Sequence, residues 1–385
     1  NAFFLLLGLN FVFIIIYLLL LPLITVKYKI WILLILVITA FSNLFLQISR
    51  GLKKTFDYAL GSFICSLITI TLNVLCIAFI KMSAVGMLLA TFIGNVVCCI
   101  YLFFKLEINK YLSLSSVNKK TLLNELKYSI PLIPNQLSLW VMNSSDRLIV
   151  SFILGTAANG ILAVSHKFPA IFMTFFNIFQ LAWHETGTVH FFDKDRDDFF
   201  SKTIEEIMLL FSTLCMCIII VLPIVFNLFV NSSYNEAYYN IPIYLIASLL
   251  NVMVGLLGVV YVATKKTFEI AKTTIIAALI NIIVNIILIK YIGLYAASIS
   301  TFMGYFITMI YRIIDTKKYL NIKYSLYKYV KIIVGILFST IIYYINNKLI
   351  SIITLPFFIC IALWVNKDYI VLIKKLIKGK IKLNE

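Results

Sequence analysis

Hydrophobic positions in this chain come in long blocks, not in the short periods of a soluble fold. Twelve apolar runs of about 20 residues, each long enough to cross a bilayer as a helix, are separated by short polar stretches. They are predicted near 3–22, 30–49, 58–80, 84–104, 129–153, 158–182, 204–230, 241–263, 271–289, 294–314, 329–346 and 349–366. Two of them break the apolar pattern. The run 129–153 carries Asp146 and Arg147, and the run 158–182 carries His166 and Lys167, with a Gly/Ala/Asn turn between them. A charged side chain near a helix centre costs roughly 2.5–3.5 kcal/mol on insertion scales, so such residues are expected to face a polar interior. Pro131 and Pro134 open the first of these runs, and Pro134 is expected to bend it.

Similar blocks recur. Lys53-Lys54-Thr55-Phe56-Asp57 returns as Lys265-Lys266-Thr267-Phe268-Glu269, Asn73 returns as Asn285, and Thr91-Phe92-x-Gly94 returns as Thr301-Phe302-x-Gly304. Both copies begin at the same face, so the repeat is parallel. It predicts an all-helical polytopic membrane protein of two pseudo-symmetric six-helix bundles plus two C-terminal spans. The first two spans of that pattern have no counterpart in the sequence, and a chain starting at Asn1 inside an apolar run is expected to be a fragment. The implied organisation is a four-span remainder of the first bundle (1–104), a cytoplasmic linker (105–128), a second bundle (129–314), two further spans (315–366) and a basic tail (367–385).

Composition supports the membrane reading: 62% of the 385 residues are hydrophobic and 13% charged, against roughly a quarter charged in a soluble domain. A net charge of +17 would suggest nucleic acid in a soluble protein, but its distribution excludes that. Of 33 Lys and Arg, 26 fall in alternate loops, five in the opposite set (Lys27, Lys29, Lys81, Lys290, Lys348) and two, Arg147 and Lys167, in spans. That asymmetry places the basic loops and both visible ends in the cytoplasm. The tail Lys367–Lys382 has the pattern of a basic amphipathic segment on the inner leaflet. All seven cysteines sit in apolar runs with neither disulfide nor metal spacing.

Apparent motifs for other chemistry fail on spacing. His184-Glu185 and His190 are six residues apart, where a zinc-protease helix needs i and i+4. Asp193, Asp195 and Asp197 open like a calcium loop, but Asp198 stands where glycine is needed and Ile204 where glutamate is needed. No phosphate-binding G-x-x-x-x-G-K-[ST] occurs, and the longest loop on the outer side is Asn231–Asn240. No cofactor, and no enzyme, is expected.

The residues PLIPNQLS, SDRLIVSFILG and NGILAVSHK, from Pro131 to Lys167, resemble the entry to the second half of the polysaccharide-transporter family. That family includes the O-antigen and capsule-unit flippases of the multidrug/oligosaccharidyl-lipid/polysaccharide exporter superfamily. Here Ile161-Leu162 and Ser165-His166-Lys167 depart from the family pattern, whose specificity is for the family and not for a substrate. Ala182-Trp183 matches a family stretch that closes its span as an interfacial anchor. The resemblance implies an alternating-access flippase in the bacterial cytoplasmic membrane that moves a polyprenyl-diphosphate-linked oligosaccharide for O-antigen, lipopolysaccharide or capsule. Coupling to H+ or Na+ is expected, as is partnership with a polysaccharide polymerase and assembly proteins. The alternatives are a multidrug antiporter, a peptidoglycan-precursor flippase and a membrane glycosyltransferase or polymerase.

The candidate site comprises Arg147, Lys167, Asp146, His166, Asn143, Asn73 and Asn285. Asn43, Gln47, Asn95, Asn177, Gln180, Asn251 and Asn281 are further intramembrane polar positions. Two arrangements of the charges remain open: an Asp146–Lys167 ion pair that neutralises itself, or Asp146 paired sideways with Arg147 facing a polar cavity to meet a diphosphate.

The loop charges generate a test of orientation. In a cysteine-free background, single cysteines at positions 232 and 115 should label oppositely, position 232 alone reacting with an impermeant maleimide on intact cells. The reverse pattern would invert the topology.

Overall fold

The computed structural model describes residues 2–23, 28–82, 84–111 and 118–367, except the side chains of Tyr111 and Asn143. The described residues form helices and no strand. The basic tail segment from 368 onward lies outside them. In chain order the helices are α1 (Ala2–Leu20), α2 (Lys29–Gly51), α3 (Thr55–Val74, prolonged by a π turn to Phe79), α4 (Ala84–Lys105), α5 (Lys119–Ser129), α6 (Leu132–Ile153) and α7 (Thr156–Ser165). They continue as α8 (Lys167–His190), α9 (Arg196–Phe229), α10 (Glu236–Ala263), α11 (Thr267–Ile292), α12 (Tyr295–Thr316), α13 (Leu326–Ile345) and α14 (Lys348–Val365).

Ten of these helices are long and apolar enough to cross a membrane, and the pair α7–α8 makes eleven if it is one span. Helix α6, with 22 residues, is long enough but is not among the ten. Its polar positions from Asn135 to Arg147 are the reason. The chain is thus a multi-pass helical membrane protein. Helices dominate because each satisfies its own backbone hydrogen bonds, which hydrocarbon cannot do for it.

Pro134 occupies the first turn of α6, where its missing N–H has no intrahelical acceptor to lose. One local expectation is corrected. The predicted span 158–182 is not one straight helix, because α7 and α8 meet at His166 with a bend of 42°.

The chain divides into two compact units, Asn1–Leu126 and Lys127–Glu385. Within the first, α2, α3 and α4 pack on one another; within the second, α10, α11 and α12 do. The repeat is visible in their backbones. The turn after α2 carries Lys53 at φ 59°, and the turn after α10 carries Lys265 at φ 57°. In each the next N–H reaches back five residues: Lys54 to the Ser49 carbonyl at 2.9 Å and Lys266 to the Tyr261 carbonyl at 2.8 Å. The left-handed residue itself reaches back three, Lys53 to Arg50 at 2.9 Å and Lys265 to Val262 at 3.0 Å. This is the Schellman ending, with lysine in the place glycine usually takes.

The paired glycines are also equivalent. A Cβ on Gly94 would lie 2.9 Å from the Cys65 carbonyl oxygen and 2.1 Å from Thr69 Oγ1. A Cβ on Gly304 would lie 3.1 Å from the Ala277 carbonyl oxygen. Glycine therefore lets α4 approach α3, and α12 approach α11, backbone to backbone, as small residues do between membrane helices.

In the second unit α10 is buried along most of its length and forms the centre, with Phe172, Phe176 and Phe211 in the core beside it. Helices α13 and α14 pack chiefly on α9. A reciprocal clasp ties α13 to α10. The Tyr343 hydroxyl donates to the Tyr238 carbonyl at 2.6 Å, the Tyr238 hydroxyl to the Tyr343 carbonyl at 3.1 Å, and the rings stack at 4.2 Å.

The close approach of α3 and α4 predicts that Gly94→Ala lowers the melting midpoint in detergent, by the equivalent of about 1–3 kcal/mol for an overpacked site. Gly304→Ala, with more room, should cost less. Equal midpoints for Gly94→Ala and the parent protein would refute the contact.

Candidate functional site

Asp146 projects from α6 into the space between α11 and α12 and is 1% exposed. Its partners are neutral. Asn285 Nδ2 donates to Oδ1 at 2.7 Å, and the Thr301 hydroxyl donates to Oδ2 at 2.9 Å. The Ser300 hydroxyl stands 3.5 Å from Oδ1. A second layer holds these donors. Asn281 Nδ2 donates to the Ser300 and Thr301 hydroxyl oxygens, each at 3.2 Å, and the Ser145 hydroxyl donates to Asn281 Oδ1 at 3.1 Å. Helical spacing produces the cluster: Asn281 and Asn285 are four apart on one face of α11, while Ser300 and Thr301 are adjacent on α12. Asn285 Oδ1 is buried with no hydrogen-bond partner among the described residues.

The Asp146–Lys167 ion pair does not form. Lys167 is exposed and, like Arg147, makes no ion pair among the described residues. The carboxylate is already taken up by α11 and α12, and the chain bends at His166 just before Lys167. Arg147 is exposed, on a different face of α6 from Asp146, as a step of about 100° per residue requires. The His166 ring lies 4.2 Å from the Tyr244 ring. Neither His166 Nε2 nor the Tyr244 hydroxyl, both buried, meets a hydrogen-bond partner among the described residues.

The structure therefore brings Asp146 and Asn285 together, while, among the described residues, Arg147, His166 and Lys167 donate no hydrogen bond to the carboxylate. Asn73, the repeat partner of Asn285, lies half-buried on α3 in the other unit, its Oδ1 also without a partner among the described residues. The side chain of Asn143 lies outside the described ones.

Neither family models nor curated proteins match this chain. Solved structures do. A MATE structure in a bent conformation aligns over 81% of this chain and 69% of its own, with TM-score 0.64 and 15% identity. The Vibrio cholerae MATE transporter VcmN, in a mutant form, aligns over 81% and 76%, with TM-score 0.69 and 15% identity. A Pyrococcus furiosus transporter of the MOP superfamily, described as having a binding pocket of reverse polarity, aligns over 80% and 69%, with TM-score 0.63 and 15% identity. This chain has the MATE fold.

On that MATE fold the polar cluster is built from this chain's own side chains: a carboxylate, two amides and three hydroxyls, contributed by α6, α11 and α12. Such hard oxygen donors suit a proton or a small cation and not a soft metal. No group of three or more His, Cys, Asp or Glu able to hold a metal occurs among the described residues.

A second polar cluster in the MATE fold escaped the sequence reading. Arg312, counted above with the loop cations, lies on α12 and is 3% exposed. It donates to the Val254 carbonyl at 2.7 Å and to Thr273 Oγ1 at 3.2 and 2.9 Å. Its guanidinium carbon lies 5.8 Å from the Tyr261 ring centre, and Tyr261 in turn donates to Asp315 at 2.9 Å. A Cβ on Gly258 would lie 3.0 Å from Arg312 Nη1, so glycine makes its room. Trp183 is likewise not an interfacial anchor: it is 2% exposed, and its indole donates to the Leu256 carbonyl at 3.1 Å. The spacing Arg312-x-x-Asp315, with its acid and base on one helix face, was the available signal.

The geometry around Asp146 predicts a coupled pair. Asn285→Leu removes the shortest donor to a buried carboxylate and should cost about 1.5–3 kcal/mol. Asp146→Leu combined with Asn285→Leu should cost less than the two single changes added. Denaturation midpoints in micelles measure the cycle; strict additivity would mean that the two side chains do not interact.

Proposed function

We propose that this chain is a secondary transporter that carries an amphiphilic solute across a membrane by alternating access, driven by an ion gradient. The observation that carries the reading is Asp146, a carboxylate enclosed by neutral donors in a helix of the MATE fold. An intramembrane acid with no counter-charge is a functional site by default. A carboxylate fixed to a lysine is locked, whereas one held by amides and hydroxyls is free to take up a proton or a sodium ion. Ion occupancy at Asp146 would bias α6, α11 and α12 between two packings, and differential affinity for two states is what drives such a transition.

For the substrate, multidrug antiport is the first reading. The fold neighbours favour it, among them an outward-facing multidrug resistance MATE family transporter of the MOP superfamily. A second reading, the flipping of a polyprenyl-diphosphate-linked oligosaccharide, is favoured by Arg147 and Lys167. These are two exposed cations close to the α6–α7 turn and the α7–α8 bend, with no acid paired to them among the described residues. The Pyrococcus furiosus transporter, whose reversed pocket polarity is said to suggest a different function, supports the idea that one scaffold carries more than one substrate class.

Two complementation assays separate these readings: dye efflux in a strain lacking its drug exporters, and surface glycan in a strain lacking its flippase. Asp146→Asn should reduce whichever activity is present about tenfold or more at unchanged protein level. Unaltered activity in Asp146→Asn would refute coupling through this residue. Dye efflux that survives Arg147→Ala supports antiport. Glycan display that Arg147→Ala abolishes and Arg147→Lys only partly restores supports the flippase, since lysine keeps the charge but not the two-pronged geometry.

A further inference from the structure

Far from Asp146 in sequence, the second unit has an open groove of about 760 Å³ between α9, α13 and α14, within the roughly 300–1,000 Å³ range of ligand pockets. It exists because α13 and α14 pack chiefly on α9 and little on each other. Its walls are apolar: Met216 from α9, Ile332 and Phe338 from α13, and Phe357 and Ile361 from α14. Gly335 forms part of the floor. A Cβ there would come within 2.7 Å of Met216 Cε, so the glycine lets α13 settle on α9 beneath the gap.

One end of the groove is different. Helix α13 enters there and α14 leaves, so Tyr327, Lys328 and Lys331 meet Trp364 and Lys367. Tyr327 and Trp364 are exposed, and exposed Tyr and Trp beside lysines mark the headgroup level of a bilayer. The lysines are not equivalent. Lys328 forms an ion pair with Glu205 on α9. Lys331 sits over the Tyr327 ring at 4.0 Å, and neither Lys331 nor Lys367 pairs with an acid among the described residues. From Lys331 to Phe338 the wall descends about 10 Å along α13 at 1.5 Å per residue. That is most of one leaflet's hydrocarbon depth, about 15 Å. Two uncompensated cations above an apolar slot of this depth are complementary to an anionic headgroup on a hydrocarbon chain.

We propose that this groove binds an anionic phospholipid, with one acyl chain between α13 and α14 and its phosphate at Lys331 and Lys367. The site is separate from the Asp146 cluster, and it stands whether the transported solute is a drug or a lipid-linked sugar.

The test is lipid retention by the full chain. Protein purified in mild detergent is incubated with equal amounts of phosphatidylglycerol and phosphatidylcholine, and bound lipid is counted by native mass spectrometry. Phosphatidylglycerol should be retained preferentially, by roughly fivefold for each uncompensated lysine and so by about 25-fold for two. Lys331→Gln with Lys367→Gln should bring the ratio close to one. Val334→Trp fills the groove from its exposed rim and should lower retention of both lipids at an unchanged melting midpoint. Val330→Trp, also on the rim, replaces it if the midpoint falls. Equal retention of the two lipids by the parent protein would overturn the proposal, as would an undiminished preference in the lysine variant. Preferential retention of a polyprenyl diphosphate over phosphatidylglycerol would assign the groove to a prenyl chain. A stable dimer that Val334→Trp dissociates would assign it to a second copy. Either result likewise overturns the phospholipid.

Discussion

A polar group inside a bilayer has only protein to bond with, and this structure depends on how that requirement is met at Asp146. No lysine or arginine neutralises the carboxylate. It is met by an amide from α11 and a hydroxyl from α12; that hydroxyl also accepts from Asn281, which in turn accepts from Ser145. Charge-assisted hydrogen bonds of this kind are short and directional, so Asp146, together with the Ser145–Asn281 and Thr274–Asn135 bonds, fixes the register of α6 against α11 and α12. Neutral donors also leave the group chemically open. A carboxylate bonded to fixed dipoles can still exchange its ion or proton, whereas a buried ion pair resists any change in charge because breaking it strands a partner.

The requirement acts on backbones as well as on side chains. Helices in hydrocarbon gain little from apolar contact alone, so close approach matters, and in both units it is made by a glycine facing a carbonyl. The turns that launch those helices are equally constrained. Each closes with a left-handed lysine, which satisfies the terminal carbonyls of the preceding helix. Lysine tolerates that conformation less well than glycine does. The long aliphatic stem of lysine can keep its charge at the membrane surface, which glycine cannot do.

Around this frame the second unit carries polar anchors whose roles differ. Arg312 bridges α10, α11 and α12 without an acid in direct contact, through Thr273 and a helix carbonyl. The Tyr238–Tyr343 clasp fastens α13 to α10. Together they leave the gap between α13 and α14 as the loosely packed part of the unit. Its basic, aromatic rim lies at the end where those two helices enter and leave.

The sequence by itself determined the class of the protein and the approximate place of its apolar helices, because a bilayer demands runs of about 20 apolar residues whatever the tertiary arrangement. It also determined the repeat, since Lys53/Lys265 and Gly94/Gly304 recur where the same turns and close contacts recur. It singled out Asp146 and Asn285 as polar positions in apolar runs. Only the tertiary structure decided that these two meet and that Lys167 stays outside. It also decided that Arg312 is buried and that the chain breaks at His166. Helical periodicity gives the face on which a residue lies, but not which helix covers that face. Partners such as Asp146 and Asn285 are 139 residues apart, and their contact is set by how α6, α11 and α12 pack, a property no local pattern encodes.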